Sequence, residues 1–277
     1  MANGEVVRSS TRNVRVGGAD IYVTEWGEGP TVLLLHGNPD SGGMWDGVAG
    51  RLGAHCRCIA PDLPGFGQSE VPQDYERSLA GMARFVEQFV AAAGIARPLD
   101  LIAHDFGGPF AFAWAVKHPD AVRRMVAINT VFFSDYRWHF WALVWRTPVL
   151  GELSMLAVNK PAFARGLRRG SARLSDAHID RTFAAFTPRV RREVLKLYRM
   201  RSPGGFRPWE DDFLALTAKK PTLVLWGDRD PFIPPRFAER FGAKRVVHLA
   251  NVGHWAPVEA SAECARAILE FFESSPG

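Results

Sequence analysis

Short apolar runs alternate with turn residues and amphipathic stretches over most of this 277-residue chain. Runs such as Thr31–His36 and Leu99–His104 are apolar at nearly every position, which is typical of parallel strands buried on both faces. The intervening stretches repeat their apolar residues at helical spacing. This alternation predicts an α/β fold, a mostly parallel sheet flanked by helices. The predicted strands are Asn13–Val16, Ile21–Trp26, Thr31–His36, Arg57–Asp62, Leu99–His104, Met125–Asn129, Pro221–Trp226 and Arg245–Leu249. The predicted helices of the core are Ser78–Ala93, Gly108–His118 and Glu259–Glu273.

The alternation stops between Val131 and Ala215, where the sequence is helix-like throughout and rich in aromatic residues and arginine. A connection of this length inside a compact domain needs structure of its own, and long insertions are typically functional. We therefore expect residues 1–130 and 216–277 to form a core domain and residues 131–215 to form an inserted helical cap.

The basic surplus of the chain is concentrated in that insertion. It holds fifteen Lys and Arg residues against eight Asp and Glu, a net charge of +7 where the whole chain has +5. A basic segment can attract anions or a membrane surface. These arginines lie among apolar residues at helical spacing, with no aromatic interleaving suited to base stacking. We therefore expect a solvated helix face, and neither nucleic acid nor a membrane as a partner.

The start of the chain lacks the apolar segment of a secretory signal, and no stretch approaches the roughly 20 apolar residues of a membrane span. The three cysteines, Cys56, Cys58 and Cys264, cannot all pair, and the first two lack metal-knuckle spacing. We therefore expect buried free thiols in a cytoplasmic protein. No metal and no cofactor are expected, because no ligand cluster or glycine-rich nucleotide motif occurs.

The segment Leu101-Ile-Ala-His-Asp105-Phe-Gly-Gly108 leads from an apolar strand through a small-residue turn into a helix. This is the setting of a nucleophile elbow, which holds one side chain at the strand tip in a strained conformation and requires small neighbours. Asp105 occupies that tip, where the G-x-S-x-G version has serine. The alternative role for this aspartate is to cap the helix that follows.

With this elbow the chain resembles the α/β-hydrolase superfamily, and within it the aspartate-nucleophile branch of haloalkane dehalogenases and epoxide hydrolases. The resemblance covers nearly the whole chain. It is strongest at four places, which are the His36-Gly-Asn-Pro39 loop with Trp45, Pro61-Asp-Leu-Pro-Gly-Phe-Gly67, the elbow, and Val252-Gly-His-Trp255. It implies an eight-stranded sheet with a helical cap, and water as the second reactant. The aromatic residues of the insertion suggest a small, mostly apolar substrate, and we expect a monomer or homodimer.

The resemblance implies a catalytic triad of Asp105, Asp230 and His254. His254 lies in the loop after the last predicted strand, where this superfamily has its catalytic base. Trp226-Gly-Asp228-Arg-Asp230 offers two carboxylates to orient it, and the family position three residues beyond the glycine selects Asp230. Some dehalogenases place this acid after the preceding strand, but the equivalent residue here is near Asn129, which cannot carry a charge. His104, beside Asp105, is expected to support the elbow.

A carboxylate nucleophile can displace a halide from an alkyl carbon or open an epoxide, and it forms an ester in either case. His254 would then activate the water that hydrolyses this ester. By the same resemblance, the backbone N–H groups of Asn38 and Phe106 stabilise the oxyanion that forms during hydrolysis.

The two chemistries differ in the groups that stabilise the leaving atom. Dehalogenases with His-Gly-Asn-Pro bind the halide through that Asn and a Trp directly after the nucleophile, but this chain has Asn38 and Phe106. A cap tryptophan can supply a second donor. The candidates are Trp138, Trp141 and Trp145, of which Trp145 is selected by its offset from the nucleophile.

Epoxide hydrolases commonly protonate the opening oxygen with two cap tyrosines. Tyr198 lies close to the family position of the second, but Leu150–Ser154 contains no tyrosine where the first is expected. Tyr136 follows its strand too closely to be a good substitute.

Fluoroacetate-type dehalogenases bind the substrate carboxylate with arginines just after the nucleophile. This chain has Phe106 and Pro109 there, so this activity is disfavoured.

Dehalogenation is thus expected narrowly ahead of epoxide opening, because Asn38 matches a sharper motif than Tyr198. The expected pocket lining is His36, Phe132, Phe133, Trp138 and Trp255. A non-catalytic binding protein on the same scaffold is the alternative from another class. It is disfavoured because all three triad candidates are present in the expected order. A conventional esterase is disfavoured because the elbow carries neither Ser nor Cys.

Overall fold

The computed structural model describes residues 6–200 and 203–275, so the ends of the predicted core domain and two residues of the predicted cap lie outside the described residues. The strands are β1 (Ser10–Val16), β2 (Ala19–Trp26), β3 (Thr31–Leu35), β4 (Arg57–Pro61), β5 (Leu99–His104), β6 (Val122–Ile128), β7 (Thr222–Gly227) and β8 (Arg245–Leu249). They form one sheet in the order β1-β2-β4-β3-β5-β6-β7-β8. β2 pairs antiparallel with both neighbours, and all the other pairs from β4 onward are parallel. The predicted eight-stranded, mostly parallel sheet is therefore confirmed.

The helices are α1 (Asp46–Leu52), α2 (Leu79–Ala92), α3 (Gly107–Lys117), α4 (Phe140–Arg146), α5 (Leu150–Ala157), α6 (Lys160–Gly170), α7 (Asp176–Ala185), α8 (Pro188–Arg199), α9 (Arg207–Lys219), α10 (Ala256–Glu259) and α11 (Ser261–Ser274). Helices α4 to α9 lie between β6 and β7, where the helical insertion was predicted. Some details differ from the sequence prediction. Residues 131–139 contain no helix, α1 was not predicted, and the predicted closing helix is observed as α11, preceded by the short separate helix α10.

The predicted boundary at residue 215 falls inside α9, which packs against α3 on one face of the sheet. α9 can pack there because it carries apolar residues, and its Phe213 and Leu216 are buried. The division into core and cap therefore stays a prediction. We use the term insertion for residues 129–221, which connect β6 to β7.

Apolar side chains cover both faces of the sheet. In β5, Leu101 and Ala103 belong to the apolar cluster on one face, whereas Ile102 belongs to the cluster on the other face. Because successive side chains of a strand alternate between faces, a strand buried on both must be apolar throughout. The three cysteines are buried free thiols, as predicted. Among the described residues, no helix has the length and apolar character needed to cross a bilayer.

The parallel strands place their carboxyl ends along one edge of the sheet. β3, β5, β6 and β7 are neighbours in an order that brings the loops after them together. Such an edge is where open α/β sheets bind their ligands. The candidate residues of the elbow, the His36–Pro39 loop and the Asp230 loop all follow these strands directly.

Candidate active site

Asp105 stands at the tip of a sharp turn between β5 and α3. Its φ is +48°, a left-handed conformation that non-glycine residues adopt rarely. A Cβ atom on Gly107 would lie 2.1 Å from the carbonyl oxygen of Leu35, and one on Gly108 would lie 1.9 Å from Oγ1 of Thr130. Both glycines are therefore required by close packing. The N-cap position of α3 is occupied by Phe106, one residue after Asp105.

One carboxylate oxygen of Asp105 accepts a hydrogen bond, whereas the other makes none with His254. Oδ2 accepts a hydrogen bond from the backbone N–H of Asn38 at 2.8 Å, and Oδ1 lies 3.9 Å from Nε2 of His254, beyond hydrogen-bond distance. A Cβ on Gly37 would lie 2.4 Å from Cβ and Oδ2 of Asp105, which explains the glycine there. Burial raises the pKa of Asp105, opposed by the charge of His254 and by the backbone N–H groups of Asn38 and Phe106.

Asp230 forms a hydrogen bond with the imidazole nitrogen of His254 that faces away from Asp105. Nδ1 of His254 donates to Oδ2 of Asp230 at 2.7 Å, and this bond turns Nε2 toward Asp105. Burial alone would lower the pKa of His254, but the negative charge of Asp230 and its hydrogen bond raise it above the ordinary value. The structure thus brings together the three side chains predicted as a triad, with Asp230 as the carboxylate on the histidine.

The carboxylate of Asp230 is heavily hydrogen-bonded. Oδ1 accepts from the backbone N–H groups of Phe232 and Ile233 at 2.7 and 3.0 Å, and Oδ2 also accepts from Nδ2 of Asn129 at 2.9 Å. Burial acts to raise the pKa of Asp230, yet the charge of His254 and these donors lower it overall. Asn129, at the alternative position for the acid, therefore serves as a donor to the acid on the next strand.

His104 lies under the histidine loop. Its Nε2–H donates to the backbone carbonyl of His254 at 2.9 Å, and the two rings lie 4.9 Å apart between centroids. Burial and the charge of His254 lower the pKa of His104 to about 3, so the ring is neutral. This placement agrees with the supporting role predicted for it.

A cavity of about 580 Å³ opens above Asp105, between the sheet edge and the insertion. The predicted residues that line it are Asn38, Asp105, Phe106, Trp138, Trp145, Tyr198, His254 and Trp255. Trp141, the third tryptophan considered as a donor, lines it as well. Most of the remaining lining is apolar, which suits an apolar ligand.

Three predicted lining residues lie elsewhere, and their assignment to the pocket is wrong. His36 is fully buried, and its ring holds the loop together by donating from Nδ1 to the carbonyl of Gly37 and accepting at Nε2 from the N–H of Leu63. Phe132 and Phe133 are fully buried against Phe213 of α9, in the core. The chain after β6 turns these two rings toward the sheet face covered by α3 and α9.

Trp138, rather than Trp145, stands directly above the residue that follows Asp105. Its ring stacks on Phe106 with centroids 6.2 Å apart, and its buried Nε1–H finds no hydrogen-bond partner among the described residues. Trp145 makes a T-shaped contact with Tyr198 and stacks on Trp141. The structure therefore favours Trp138 over Trp145 as an indole donor at the site.

Two tyrosines of the insertion face Asp105. Tyr198 is buried, its hydroxyl oxygen accepts from Nδ2 of Asn38 at 3.5 Å, and burial and the charge of Asp105 raise its pKa well above the ordinary value. Tyr136, set aside in the sequence analysis, also lines the cavity. Its hydroxyl donates to the carbonyl of Phe232 at 3.2 Å, and burial raises its pKa.

His139 lines the same cavity and was missed from the sequence. Its Nδ1 accepts from the N–H of Ala142 at 3.2 Å and so caps α4. Burial and the charge of His254 lower the pKa of His139 to about 4. The ring is therefore neutral, with its proton on Nε2. Histidine is not among the residues that signal an N-cap, so no pattern marked it.

A buried polar cluster joins the insertion to the histidine loop. Nε1–H of Trp255 donates to Oδ2 of Asp40 at 2.7 Å, and the hydroxyl of Thr182 on α7 donates to Oδ1 at 3.1 Å. Nε2 of His178, also on α7, lies 3.4 Å from that oxygen. Trp255 follows His254 in sequence, so this cluster fixes the end of the loop that carries the histidine. Within the described residues, no group of three or more His, Cys, Asp and Glu is arranged to hold a metal ion.

Comparison with known proteins places this geometry in a family. The model of the α/β hydrolase fold family matches residues 30–261. Haloalkane dehalogenase 2 of Mycobacterium tuberculosis (strain ATCC 25618 / H37Rv) is 31% identical, and the match covers 91% of each chain. Epoxide hydrolase 3 of Xenopus tropicalis is 25% identical over 88% of this chain and 71% of its own length. The crystal structure of a DBJA mutant is similar with a TM-score of 0.83 at 27% identity, covering 96% of this chain and 98% of the other. This chain therefore belongs to the α/β hydrolase fold family, in the branch of haloalkane dehalogenases and epoxide hydrolases, and is a hydrolase.

Proposed function

We propose that this hydrolase opens epoxides of apolar molecules to diols through a covalent ester on Asp105. The observation that carries the proposal is the position of Tyr198. Its hydroxyl oxygen accepts from the side chain of Asn38, whose backbone N–H holds the carboxylate of Asp105. Because that oxygen acts as an acceptor, the hydroxyl proton of Tyr198 is available to an oxygen atom bound above Asp105.

In the first step, Oδ1 of Asp105 attacks an epoxide carbon and the ring C–O bond breaks. Tyr198 donates its proton to the oxygen that leaves, which yields a hydroxyalkyl ester. The raised pKa of Tyr198 means that the phenol keeps its proton until an alkoxide develops, since an alkoxide is a stronger base than a phenolate. The neutral ring of His139, with its proton on Nε2, is a second donor on the same wall of the cavity.

In the second step, His254 takes a proton from water, and the water oxygen attacks Cγ of Asp105. The oxyanion is stabilised by the backbone N–H groups of Asn38 and Phe106. The ester C–O bond then breaks, and His254 returns its proton to the departing alkoxide, which leaves as the diol. The second proton of the attacking water, left on the carboxyl group of Asp105, passes to the phenolate of Tyr198, so that both the carboxylate and the phenol are restored. Asp230 stabilises the positive charge that His254 carries during this step.

This order of preference reverses the one expected from sequence. A departing halide needs N–H donors, but Phe106 has none in its side chain and Nδ2 of Asn38 already donates one of its two N–H groups to Tyr198. An epoxide oxygen needs a proton, and the insertion presents Tyr198, Tyr136 and His139 to the cavity.

Dehalogenation is the second candidate, favoured by one specific observation. The buried Nε1–H of Trp138 has no partner among the described residues and belongs to a ring stacked on Phe106. With Nδ2 of Asn38 it would supply the two donors that a halide requires. The 31% identity to haloalkane dehalogenase 2 supports this candidate as well.

The proposed substrate is a small organic molecule that is mostly apolar, with water as the second reactant. Aromatic side chains, including Phe106, Trp138 and Phe232, form much of the cavity wall. We place the reaction in the cytoplasm, because Cys56, Cys58 and Cys264 are free thiols and fit a reducing compartment.

The test compares a terminal epoxide with the bromoalkane of the same chain length. Diol is measured by gas chromatography and bromide by ion chromatography, for the natural protein, for Tyr198→Phe and for Tyr22→Phe as a matched control on β2. We expect diol formation that falls about 100-fold in Tyr198→Phe, the usual scale of a general acid, and stays unchanged in the control. Bromide release without diol formation would replace this proposal with dehalogenation.

A further inference from the structure

The outer faces of α4 and α5 carry exposed apolar side chains that the proposed reaction does not use. Phe140 is 70% exposed, Leu156 is 79% exposed, and Val149 in the turn between the helices is 68% exposed. Of the large exposed hydrophobic residues in the described part of the chain, only Val6 lies elsewhere. We define the α4–α5 patch as Phe140, Trp141, Leu143, Val149, Leu150, Leu153 and Leu156.

The patch is a continuous surface rather than scattered residues. On α5, Leu150, Leu153 and Leu156 recur every three residues along one face, while Gly151 and Met155 are buried on the other. α4 and α5 pack side by side, and on α4 the rings of Phe140 and Trp141 are in contact, with centroids 5.4 Å apart. A surface helix normally turns its apolar face inward, so two adjacent helices with exposed apolar faces indicate a binding surface.

The turn between the helices is also unusual. Val149 has a φ of +68°, a conformation that glycine or asparagine adopts at much lower cost than a β-branched residue. Its side chain points into solvent at the tip of the hairpin. The chain thus has an exposed apolar residue at a position where backbone geometry alone favours glycine.

Positive charge borders the same surface. Trp141 of the patch, which is 46% exposed, lines the same cavity as Arg165 and Arg169 of α6. Both arginines are exposed and form no salt bridge with any described residue. The predicted cap, residues 131–215, carries a net charge of +7. Two copies that met through this surface would bring like charges together, whereas an anionic surface with an apolar interior complements both features.

We propose that the α4–α5 patch docks peripherally on an anionic lipid bilayer. The aromatic and leucine side chains enter the boundary between headgroups and acyl chains, where Trp and Phe are favoured, and Arg165 and Arg169 face the anionic headgroups. The opening of the cavity then lies next to the lipid. The sequence analysis expected no membrane partner because it assigned the arginines of the insertion to a solvated helix face and found no long apolar run. This surface is assembled from two helices of seven and eight residues, so no single run reveals it.

The test is flotation of the full chain with lipid vesicles, which needs no substrate. Vesicles of about four parts phosphatidylcholine to one part phosphatidylglycerol are compared with pure phosphatidylcholine, in low salt and in ~0.5 M NaCl. We expect the anionic vesicles to bind about tenfold more protein, and the salt to remove most of that difference. Equal binding to both vesicle types, or none to either, would overturn the proposal.

Variants distinguish vesicle binding through the α4–α5 patch from nonspecific adsorption. The triple variant Phe140→Ser, Leu153→Ser, Leu156→Ser replaces exposed residues that do not line the cavity, and Val6→Ser is the matched control outside the patch. The triple variant is expected to lose at least about tenfold in vesicle binding, and the control to bind as the natural protein does. Circular dichroism checks that both are folded. Unchanged binding by the folded triple variant contradicts the proposal. So does a dimer, seen by light scattering, that the triple variant converts to monomers, since a second copy would then cover the patch.

Discussion

The sheet side and the insertion side of the cavity hold their side chains in different ways. On the sheet side, Asp230 and His254 are buried, Asp105 is partly buried, and hydrogen bonds with specific partners fix each of them. On the insertion side, Trp138 and Tyr198 are held mainly by ring contacts, at 5.4 Å between centroids, and the indole N–H of Trp138 has no partner among the described residues. Hydrogen bonds fix the side chains on the sheet side, and aromatic packing positions those on the insertion side.

The two walls should therefore control different properties of the reaction. Buried charges are costly unless hydrogen bonds and opposite charges compensate them, so their geometry is strongly constrained and suits one chemistry. Aromatic packing tolerates rearrangement at lower cost, so it can adapt to different ligands. The sheet side should therefore determine the formation and hydrolysis of an ester, and the insertion side should determine which leaving group is accepted.

The largest expected effect is on the sheet side, with Asp105→Asn. Asparagine adopts a left-handed backbone readily and keeps the shape of the side chain, so the elbow should stay folded. Without a carboxylate nucleophile we expect turnover of every substrate to fall at least ~10⁴-fold. Steady-state rates together with a thermal melt check this. A variant that keeps more than about a tenth of the activity would show that the carboxylate is not the nucleophile.

The next effect concerns the orientation of the base, with Asp230→Asn. His254 must be neutral to accept a proton, and its pKa lies above the ordinary 6.5, so activity should rise with pH through a midpoint above that value. Removing the charge of Asp230 leaves burial, which lowers the pKa of His254. We expect kcat to fall about 10³-fold and the acid-side midpoint to move to lower pH.

Asp228→Asn is the matched control for this change, because Asp228 lies in the same loop and interacts with His248 rather than His254. Its pH–rate profile should match that of the natural protein. If the two variants shift the midpoint equally, the assignment of Asp230 as the orienting carboxylate is wrong.

A smaller and selective effect is expected on the insertion side, with Trp138→Phe. The change removes the unpartnered Nε1–H and keeps an aromatic ring above Phe106. Bromide release should fall about tenfold if the indole binds the halide, while diol formation should change less than about threefold. Product ratios for an epoxide and a bromoalkane of equal length measure this. An equal loss for both would mean that the indole acts only through packing.

The smallest effect on turnover is expected at Phe133→Leu, a residue that the sequence placed in the pocket. Phe133 is fully buried beside Phe213 and Phe241, away from the cavity. Its replacement should lower the free energy of unfolding by about 1–2 kcal/mol and leave kcat/KM within about twofold. Chemical denaturation and kinetics test the two parts separately. A change in substrate preference would return Phe133 to the site.

The sheet side could be predicted well because its constraints act on short contiguous segments. The elbow needs small residues near Asp105, and each triad candidate lies in the loop that follows a strand of recognisable pattern, so linear spacing reflects position at the sheet edge. The supporting role of Asn129 was not predicted, because the hydrogen bond from its amide joins residues 101 positions apart.

The insertion side was predicted less well for a physical reason. Which face of a loop or helix meets the cavity depends on how the insertion packs on the sheet, and the sequence period does not contain this information. Offset counting therefore selected Trp145 where the structure places Trp138 over Phe106. The sequence analysis set Tyr136 aside because it follows its strand too closely, and yet Tyr136 lines the cavity.

The proposed reaction passes through an ester on Asp105, and the variant His254→Phe should trap that ester. Without the base, hydrolysis should stall after the first step, so incubation with an epoxide should add the mass of one hydroxyalkyl group to the intact protein. A bromoalkane should add an alkyl mass if dehalogenation is the reaction. We expect the hydroxyalkyl adduct at full occupancy and its loss when Asp105→Ala is added. An adduct that persists in the double variant, or no adduct across a broad panel of substrates that the natural protein turns over, would contradict this mechanism.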